Sequence, residues 1–301
     1  MTNSGFELRR LSDTVFRMRE FDNCDQNVFI YVVLPVDNEH VFVIDTGTGE
    51  NNAHSYIHEQ IYVKHNITPR PFIVINTHNH FDHVGGNHFF EDSNECDGIW
   101  ASDADQSYTR DQVGIFSWFY GYRTKPYKIT RWLKHQERIS LSEKDSDPIQ
   151  VFHTPGHTPD SICIYYSTER CIFAGDTIYS GGPVLLLSRQ SRMTDYIQSC
   201  DQMAAFITQE NTAGDPQPIT LACGHQTDQL ASRHFGELGD LLRKVHNRDP
   251  ELKSILSDPL MKMYANEEHT LSVCVRRWLW MDFVLRPPVR LYLGLLRIAR
   301  R

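Results

Sequence analysis

Residues 77–83 read Thr77-His78-Asn79-His80-Phe81-Asp82-His83 and follow an apolar run, Phe72-Ile73-Val74-Ile75, after the single polar residue Asn76. The stretch places three imidazoles and one carboxylate within six consecutive positions. Imidazole nitrogen and carboxylate oxygen are ligands that zinc and similar divalent ions prefer, and neutral histidine is among the commonest metal ligands. The stretch therefore predicts a metal site on the loop that leaves a buried strand.

Apolar runs on both sides of this loop predict an α/β fold. The first series of strands is predicted at Thr14–Arg19, Val28–Leu34, Val41–Ile44 and Phe72–Ile75, with a helix over Asn52–His65. The second series is predicted at Ile149–Phe152, Ile162–Tyr166, Cys171–Phe173 and Ile219–Ala222, with helices over Thr194–Gln209 and Asp228–Val245. Strands that alternate with helices are typical of the α/β class.

Polar residues recur where strands of the second series end, and they are His153, His157, Asp176 and His225. One metal ion needs three or four ligands, and His78, His80 and one distant histidine could complete such a site. Asp82 and His83 then remain available for a second ion.

The combined pattern resembles the metallo-β-lactamase superfamily of hydrolases. The leading Asp of that family corresponds to Asp45, its HxHxDH signature to residues 78–83, and its later ligands to His157, Asp176 and His225, all in the same order. The resemblance implies an αββα sandwich with two zinc ions at one edge of two packed sheets.

Carried over residue by residue, the resemblance implies that His78, His80 and His157 bind one zinc ion. It implies that the second ion is bound by Asp82, His83 and His225, with Asp176 bridging the two. Asp45 would orient a ligand or its loop by hydrogen bonding. Manganese and iron accept the same ligands, so the metal itself stays open.

Two zinc ions would supply a hydroxide nucleophile near neutral pH without a strong protein base. Asp82 and His83 are the predicted catalytic residues, and Asp82 would orient the nucleophile or pass a proton. The chain has no Gly-x-Ser-x-Gly motif, so a serine hydrolase is not supported.

A finer resemblance concerns the substrate, and it lies in residues 156–163, 175–181 and 191–196. These segments resemble an acyl-coenzyme A thioesterase group of the superfamily, which implies hydrolysis of long-chain acyl-CoA to a fatty acid and CoA. The aromatic stretch 115–132, which includes Trp118, and the segment Val184–Leu187 are predicted to contact the acyl chain. Tyr179 is a further predicted substrate contact. Arg192 is predicted to bind a CoA phosphate, although an ion pair at a helix entry is an equal alternative.

Two alternatives stay open beside the acyl-CoA thioesterase. A glyoxalase II-like hydrolase of glutathione thioesters shares the HxHxDH ligands and the Gly85-Gly86-Asn87 continuation. A non-catalytic, zinc-stabilised binding protein at a membrane is a different class, and the complete ligand set argues against it.

Charge is distributed unevenly along the chain, whose net charge is −8. From Leu271 to the C-terminus there are seven Arg and one Asp, so the rest of the chain is strongly acidic. An acidic body argues against nucleic acid as a partner.

The pattern of charge and motifs predicts a catalytic domain at 1–245 and a basic, aromatic helical extension at 246–301. After Pro287-Pro288 this extension fits an amphipathic helix that docks on its own domain or lies on a membrane surface.

The seven cysteines are odd in number and form no CxxC pair, and the N-terminus lacks a basic segment followed by an apolar one. These features predict a reduced, intracellular, cytoplasmic protein, either free or peripheral at a membrane. No apolar run reaches the roughly 18 to 20 residues that span a bilayer.

Overall fold

Apolar strands of the N-terminal half build a seven-stranded sheet in the computed structural model. The structure describes residues 5–36, 38–111, 124–141, 148–186, 190–212, 217–257 and 261–276. Its strands lie side by side in chain order: β1 (Phe6–Arg10), β2 (Val15–Glu20), β3 (Phe29–Val33), β4 (Val41–Ile44), β5 (Phe72–Ile75), β6 (Cys96–Ser102) and β7 (Arg131–Leu133). The strands from β1 to β4 pair antiparallel, and those from β4 to β7 pair parallel.

A second sheet of six described strands lies against the first. Its strands are β8 (Arg138–Ser140), β9 (Pro148–His153), β10 (Ile162–Tyr166), β11 (Cys171–Gly175), β13 (Thr220–Cys223) and β14 (Leu230–Ala231), in the spatial order β14-β13-β11-β10-β9-β8. Strands β11 and β13 run parallel, so their carboxyl ends reach the same edge of the sheet.

Helices cover the outer faces of the two sheets, and one short helix lies at the strand ends. They are α1 (Ala53–Ile57), which a π-helical segment continues over His58–Val63, then α2 (Phe81–Val84), α3 (Asn87–Glu91), α4 (Gln106–Arg110), α5 (Met193–Thr212) and α6 (His234–His246). Alternating side chains of each strand point to opposite faces. Tyr31 and Ile75 therefore share an inner core with Ile164 and Phe173 of the second sheet. The α/β class and the αββα sandwich predicted from the sequence are confirmed.

The outer faces form two further cores. One core joins Val32 of the first sheet to Ile57 of α1. The other joins Leu221 of the second sheet to Met203 of α5 and Leu238 of α6. The predicted helix over Asn52–His65 corresponds to α1 and its π-helical continuation. The predicted start of the last helix at Asp228 is wrong, because Leu230–Ala231 pairs with β13 and the helix begins at His234.

A third, small sheet corrects the predicted helical extension. Strands β15 (Leu256–Ser257), β16 (Met261–Ala265) and β17 (Ser272–Arg276) stand where the sequence predicts a helix, and β17 pairs parallel with β12 (Pro183–Leu186). The reason is the alternation of buried and half-buried side chains in β16, which suits a strand.

Two predictions lie outside the described residues. They are the amphipathic helix, which falls within residues 277–301, and Trp118. Among the described helices, none has the length and apolar content needed to cross a membrane.

Glu20 at the end of β2 is a buried acid that holds the turn after β4. Its carboxylate accepts hydrogen bonds from the backbone N–H of Thr48 at 2.6 Å and from the backbone and side-chain nitrogens of Asn51 at 3.2 Å. Burial raises the pKa of Glu20 from 4.5 to about 7, although these N–H donors oppose the rise.

A carboxyl whose pKa is raised by folding stabilises the fold below its unfolded pKa, and this stabilisation is lost as the pH rises through the folded pKa. We therefore expect ionisation of Glu20 to lower the free energy of unfolding by about 3 kcal/mol between pH 4.5 and pH 8. Glu20→Gln stays neutral and should lack this loss. Urea unfolding of the unaltered protein and of Glu20→Gln, both freed of metal by a chelator, measures the free energy of unfolding across that pH range. If the two proteins show the same dependence on pH, the prediction is wrong.

Candidate metal centre

The structure brings all seven predicted ligand residues to one place. Three groups have ligand atoms within 4.8 Å of one another, and these groups are His78/His80/His157, His78/His83/Asp176 and Asp82/His83/His225. Six of the seven side chains are buried, and His80 is partly buried. Buried nitrogen and carboxylate oxygen atoms that converge in this way suit divalent ions.

Strand ends aim these side chains. The loop after β5 carries His78 and His80, and α2 begins immediately after it, so that Asp82 and His83 lie in the first helical turn. Asp176 and His225 follow β11 and β13, whose parallel pairing brings Gly175 opposite Cys223. The backbone N–H of Gly224 donates to the Gly175 carbonyl at 2.7 Å, which holds the two loops together.

Asp45 is the carboxylate behind the site, and three donors converge on it. Its Oδ1 accepts from the backbone N–H of Thr77 at 2.8 Å. Its Oδ2 accepts from the Thr77 hydroxyl at 2.7 Å and lies 2.7 Å from His83 Nδ1. A carboxylate accepts the proton of Nδ1, so His83 presents its Nε2 to the site.

The same carboxylate orients His78 indirectly. Because the Thr77 hydroxyl donates its proton to Asp45, it can only accept from His78 Nδ1, which lies 3.1 Å away. The lone pair of His78 is then on Nε2, which is buried and has no hydrogen-bond partner among the described residues. A buried nitrogen without a partner is costly, and a bound cation would satisfy it.

Backbone carbonyls orient the two later histidines. His157 Nδ1 lies 3.0 Å from the carbonyl oxygen of Leu185, and His225 Nδ1 lies 2.9 Å from that of Gln26. Since a carbonyl can only accept, both rings donate through Nδ1 and present Nε2 to the site. His157 Nε2 accordingly lies 3.0 Å from Nδ1 of His80.

Asp176 stands between the two groups of histidines. Its Oδ1 lies 3.3 Å from His83 Nε2 and 3.4 Å from His225 Nε2, while its Oδ2 lies 3.7 Å from His157 Nε2. Asp82 Oδ2 lies 3.4 Å from His225 Nε2. One carboxylate thus faces both sets of inward-pointing nitrogens.

Electrostatics divide the site into two halves. Burial, followed by the neighbouring His157, lowers the pKa of His80 to about 3, and burial with His83 and His80 holds the pKa of His78 well below its usual value. In the other half burial also lowers the pKa of His225, but the Asp176 and Asp82 carboxylates outweigh it and raise this pKa to about 9. The donor set therefore fits divalent metal ions, with neutral imidazoles on one side and carboxylates on the other.

The predicted substrate contacts are placed less decisively. Tyr179 is buried with its ring centroid 5.6 Å from that of His225, and its hydroxyl donates to the Pro183 carbonyl at 2.9 Å. Arg192 is exposed, and its backbone N–H donates to the Gly156 carbonyl at 3.0 Å, next to His157.

Sequence reasoning missed several residues that orient the ligands. Gln26 and Leu185 act through backbone carbonyls, which every residue type has, so no sequence signal could have identified them. Ser191 donates its hydroxyl proton to the His157 carbonyl at 2.8 Å. It lies in the segment singled out for its family resemblance, and that was the one available signal.

This fold, with a buried histidine and aspartate site at the strand ends, defines a metal-dependent hydrolase. The model of the metallo-beta-lactamase superfamily matches residues 23–217. The chain belongs to that superfamily. Divalent metals, usually zinc, are typical of the superfamily.

Two curated relatives and one solved structure illustrate what the chain is similar to. Acyl-coenzyme A thioesterase MBLAC2 of Homo sapiens is 26% identical over 216 residues, which cover 66% of this chain and 75% of that protein. Hydroxyacylglutathione hydrolase of Pelagibacter ubique is 24% identical over 258 residues, which cover 84% and 90%. A metallo beta lactamase from Erythrobacter litoralis, 17% identical, aligns with a TM-score of 0.58 over 81% of this chain and 99% of that one, and it supports the fold alone.

The hydrogen bonds to Asp45 lead to a prediction for Asp45→Asn. An amide nitrogen in place of Oδ2 would direct its own protons at the proton on His83 Nδ1. This repulsion favours the other tautomer of His83, in which Nε2 carries the proton and cannot bind a metal. We expect the affinity for metal to fall about 10- to 100-fold. Zinc titration of the metal-free protein measures this loss.

Asp240→Asn is the matched control, since Asp240 is exposed on α6 and contacts Arg243. It should bind zinc as the unaltered protein does. Equal affinities of the Asp45 and Asp240 variants would contradict the orienting role of Asp45.

Proposed function

We propose that the protein is a dinuclear zinc hydrolase that cleaves thioesters, with long-chain acyl-coenzyme A as the favoured substrate. The observation that carries the proposal is the pair of ligand groups, His78/His80/His157 and Asp82/His83/His225, with Asp176 facing both. A site with two such groups suits two ions held close together.

Ions bound at such a site supply a Lewis acid and a nucleophile at neutral pH. The chain supplies the rest. Asp45, Leu185 and Gln26 each accept a hydrogen bond from Nδ1 of an imidazole ring, so that Nε2 is the nitrogen that faces the ions. Asp82 lies 3.4 Å from His225 and at the edge of the second group, where its carboxylate can hold or pass a proton during the reaction.

Support for a thioester comes from the relatives, since one is named an acyl-coenzyme A thioesterase and the other a hydroxyacylglutathione hydrolase. One feature of the chain favours the acyl-CoA class. The exposed Arg192 lies beside the His157 loop, where its guanidinium suits a phosphate of the CoA nucleotide.

A glyoxalase II-like hydrolase of glutathione thioesters is the second candidate. It is favoured by the hydroxyacylglutathione hydrolase match, which covers 84% of this chain, more than the thioesterase match does. The two candidates share metal ions and reaction and differ in the group that leaves. Glutathione carries carboxylates and CoA carries phosphates, so a cation near the site suits both, and a direct comparison of the two substrates distinguishes the candidates.

The first test is metal content. Purified protein is expected to contain close to two equivalents of zinc per chain, and a chelator should abolish hydrolysis until zinc is restored.

The variants His80→Ala and Asp82→Ala should hydrolyse palmitoyl-CoA at least about 100-fold more slowly. Circular dichroism and urea unfolding should show that both variants are folded. Protein without metal, or variants with unchanged turnover, would reject the dinuclear hydrolase.

The second test separates the substrates. Acyl-CoA of several chain lengths, lactoylglutathione, a cephalosporin and a phosphodiester are assayed side by side, and palmitoyl-CoA is expected to have the highest kcat/KM. Arg192→Ala should raise KM for palmitoyl-CoA about fivefold, because an exposed ion pair contributes about 1 kcal/mol. The same variant should leave unchanged the hydrolysis of a palmitoyl thioester of N-acetylcysteamine, which lacks phosphates.

Arg233→Ala is the control, since Arg233 is an exposed arginine that pairs with Glu237 at the start of α6. It should leave KM for palmitoyl-CoA unchanged. A higher kcat/KM for lactoylglutathione than for every acyl-CoA would favour the second candidate instead.

A further inference from the structure

The loop between β2 and β3, residues 21–28, holds the segment that carries His225. The backbone N–H of Phe29, the first residue of β3, donates to the Gly224 carbonyl at 2.8 Å. Three residues earlier, the carbonyl of Gln26 lies 2.9 Å from His225 Nδ1. The direction of the His225 ring therefore depends on where this loop points the Gln26 carbonyl.

The loop has an unusual backbone. Asp25 and Asn27 have φ angles of 57° and 51°, in the left-handed region that costs most residues free energy, although Asp and Asn tolerate it better than others. Such a conformation persists only where other contacts hold it.

Asp22 provides these contacts. Its Oδ1 accepts from the backbone N–H of Cys24 at 2.7 Å and from that of Gln26 at 3.2 Å, and its Oδ2 accepts from that of Asn27 at 2.7 Å. Both oxygens of Asp22 are thus occupied by the loop, so it acts on the site through the backbone.

The bond to Asn27 fixes the carbonyl that contacts His225. The N–H of Asn27 and the C=O of Gln26 belong to one planar trans peptide unit, and in such a unit they point in opposite directions. With the N–H directed at Asp22, the carbonyl is directed away from it, to His225 Nδ1. His225 Nε2 then faces Asp82 and Asp176 at 3.4 Å.

We propose that Asp22 is a positioning residue for His225, acting through the peptide unit between Gln26 and Asn27. The inference deepens the proposed function, since it rests on His225 as a ligand of the second ion. A carboxylate is required because two oxygens accept from three N–H groups. The amide of Asn would place a donor against one of those groups.

The test is a zinc titration of the metal-free, full-length protein by calorimetry. Unaltered protein is expected to show two binding steps, and His225→Ala should weaken one of them. Asp22→Ala should weaken the same step about 10- to 100-fold and leave the other within about twofold. Asp22→Asn keeps one acceptor oxygen and should give a smaller loss at that step.

Asp249→Ala is the matched control. Asp249 accepts a backbone hydrogen bond from Glu251 at 2.9 Å in the turn after α6, which is the same kind of contact outside the metal centre. It should leave both binding steps unchanged. Urea unfolding of each metal-free variant measures folding, and Asp22→Asn serves as the test variant if Asp22→Ala does not fold.

Several results would overturn the proposal. An Asp22 variant that binds both ions as the unaltered protein does would show that the loop does not position His225. Equal weakening of both steps would show a general structural role. Two ions bound by the unaltered protein without thioester hydrolysis would reject the proposed substrate and leave the role of Asp22 standing, so the two failures can be told apart.

Discussion

The metal centre depends on the acceptance of three hydrogen bonds by one buried carboxylate, that of Asp45. These bonds hold Thr77 and, through it, His78, and they hold His83 directly. For these bonds to form, the turn after β4 must lie against the backbone that follows α2. Glycine makes this close approach possible. A Cβ on Gly86 would lie 2.2 Å from the carbonyl oxygen of Thr46, and one on Gly85 would lie 2.1 Å from that of Thr48. The glycines after the HxHxDH stretch are therefore part of the geometry of the site.

The other ligands are oriented from distant parts of the chain. The Leu185 carbonyl, which holds His157, belongs to β12, and β12 is paired along its length with β17. Strand β17 is thereby connected to the metal centre by a strand ladder, although the sequence assigns its residues to a separate extension. The Gln26 carbonyl, which holds His225, comes from the N-terminal sheet. Each half of the site consequently relies on an element far from it in sequence.

The sequence predicts the fold where chemistry and periodicity agree. Val41–Ile44, Phe72–Ile75 and Ile162–Tyr166 are short apolar runs buried in the sandwich, and their predicted and observed bounds coincide. The candidate ligand residues can be predicted because imidazole and carboxylate are chemically distinctive. Strands β16 and β17 were missed, since each is only five residues long and strand and helix periods are hard to tell apart over that length. The carbonyls of Gln26 and Leu185 were missed because backbone groups carry no residue signature.

The division between buried ligands and exposed contacts explains why the reaction is easier to infer than the substrate. The ligand groups are desolvated, so each polar contact there is strong and a displaced nitrogen is costly. Arg192 is exposed, where solvent and salt screen its charge. Its backbone, in contrast, is bound to Gly156 beside His157. Under the proposed function, a change of the Arg192 side chain therefore alters the contact with the leaving group while the loop that presents His157 keeps its geometry. Substrate preference can thus change around a constant metal centre, as expected of a fold that supports many reactions.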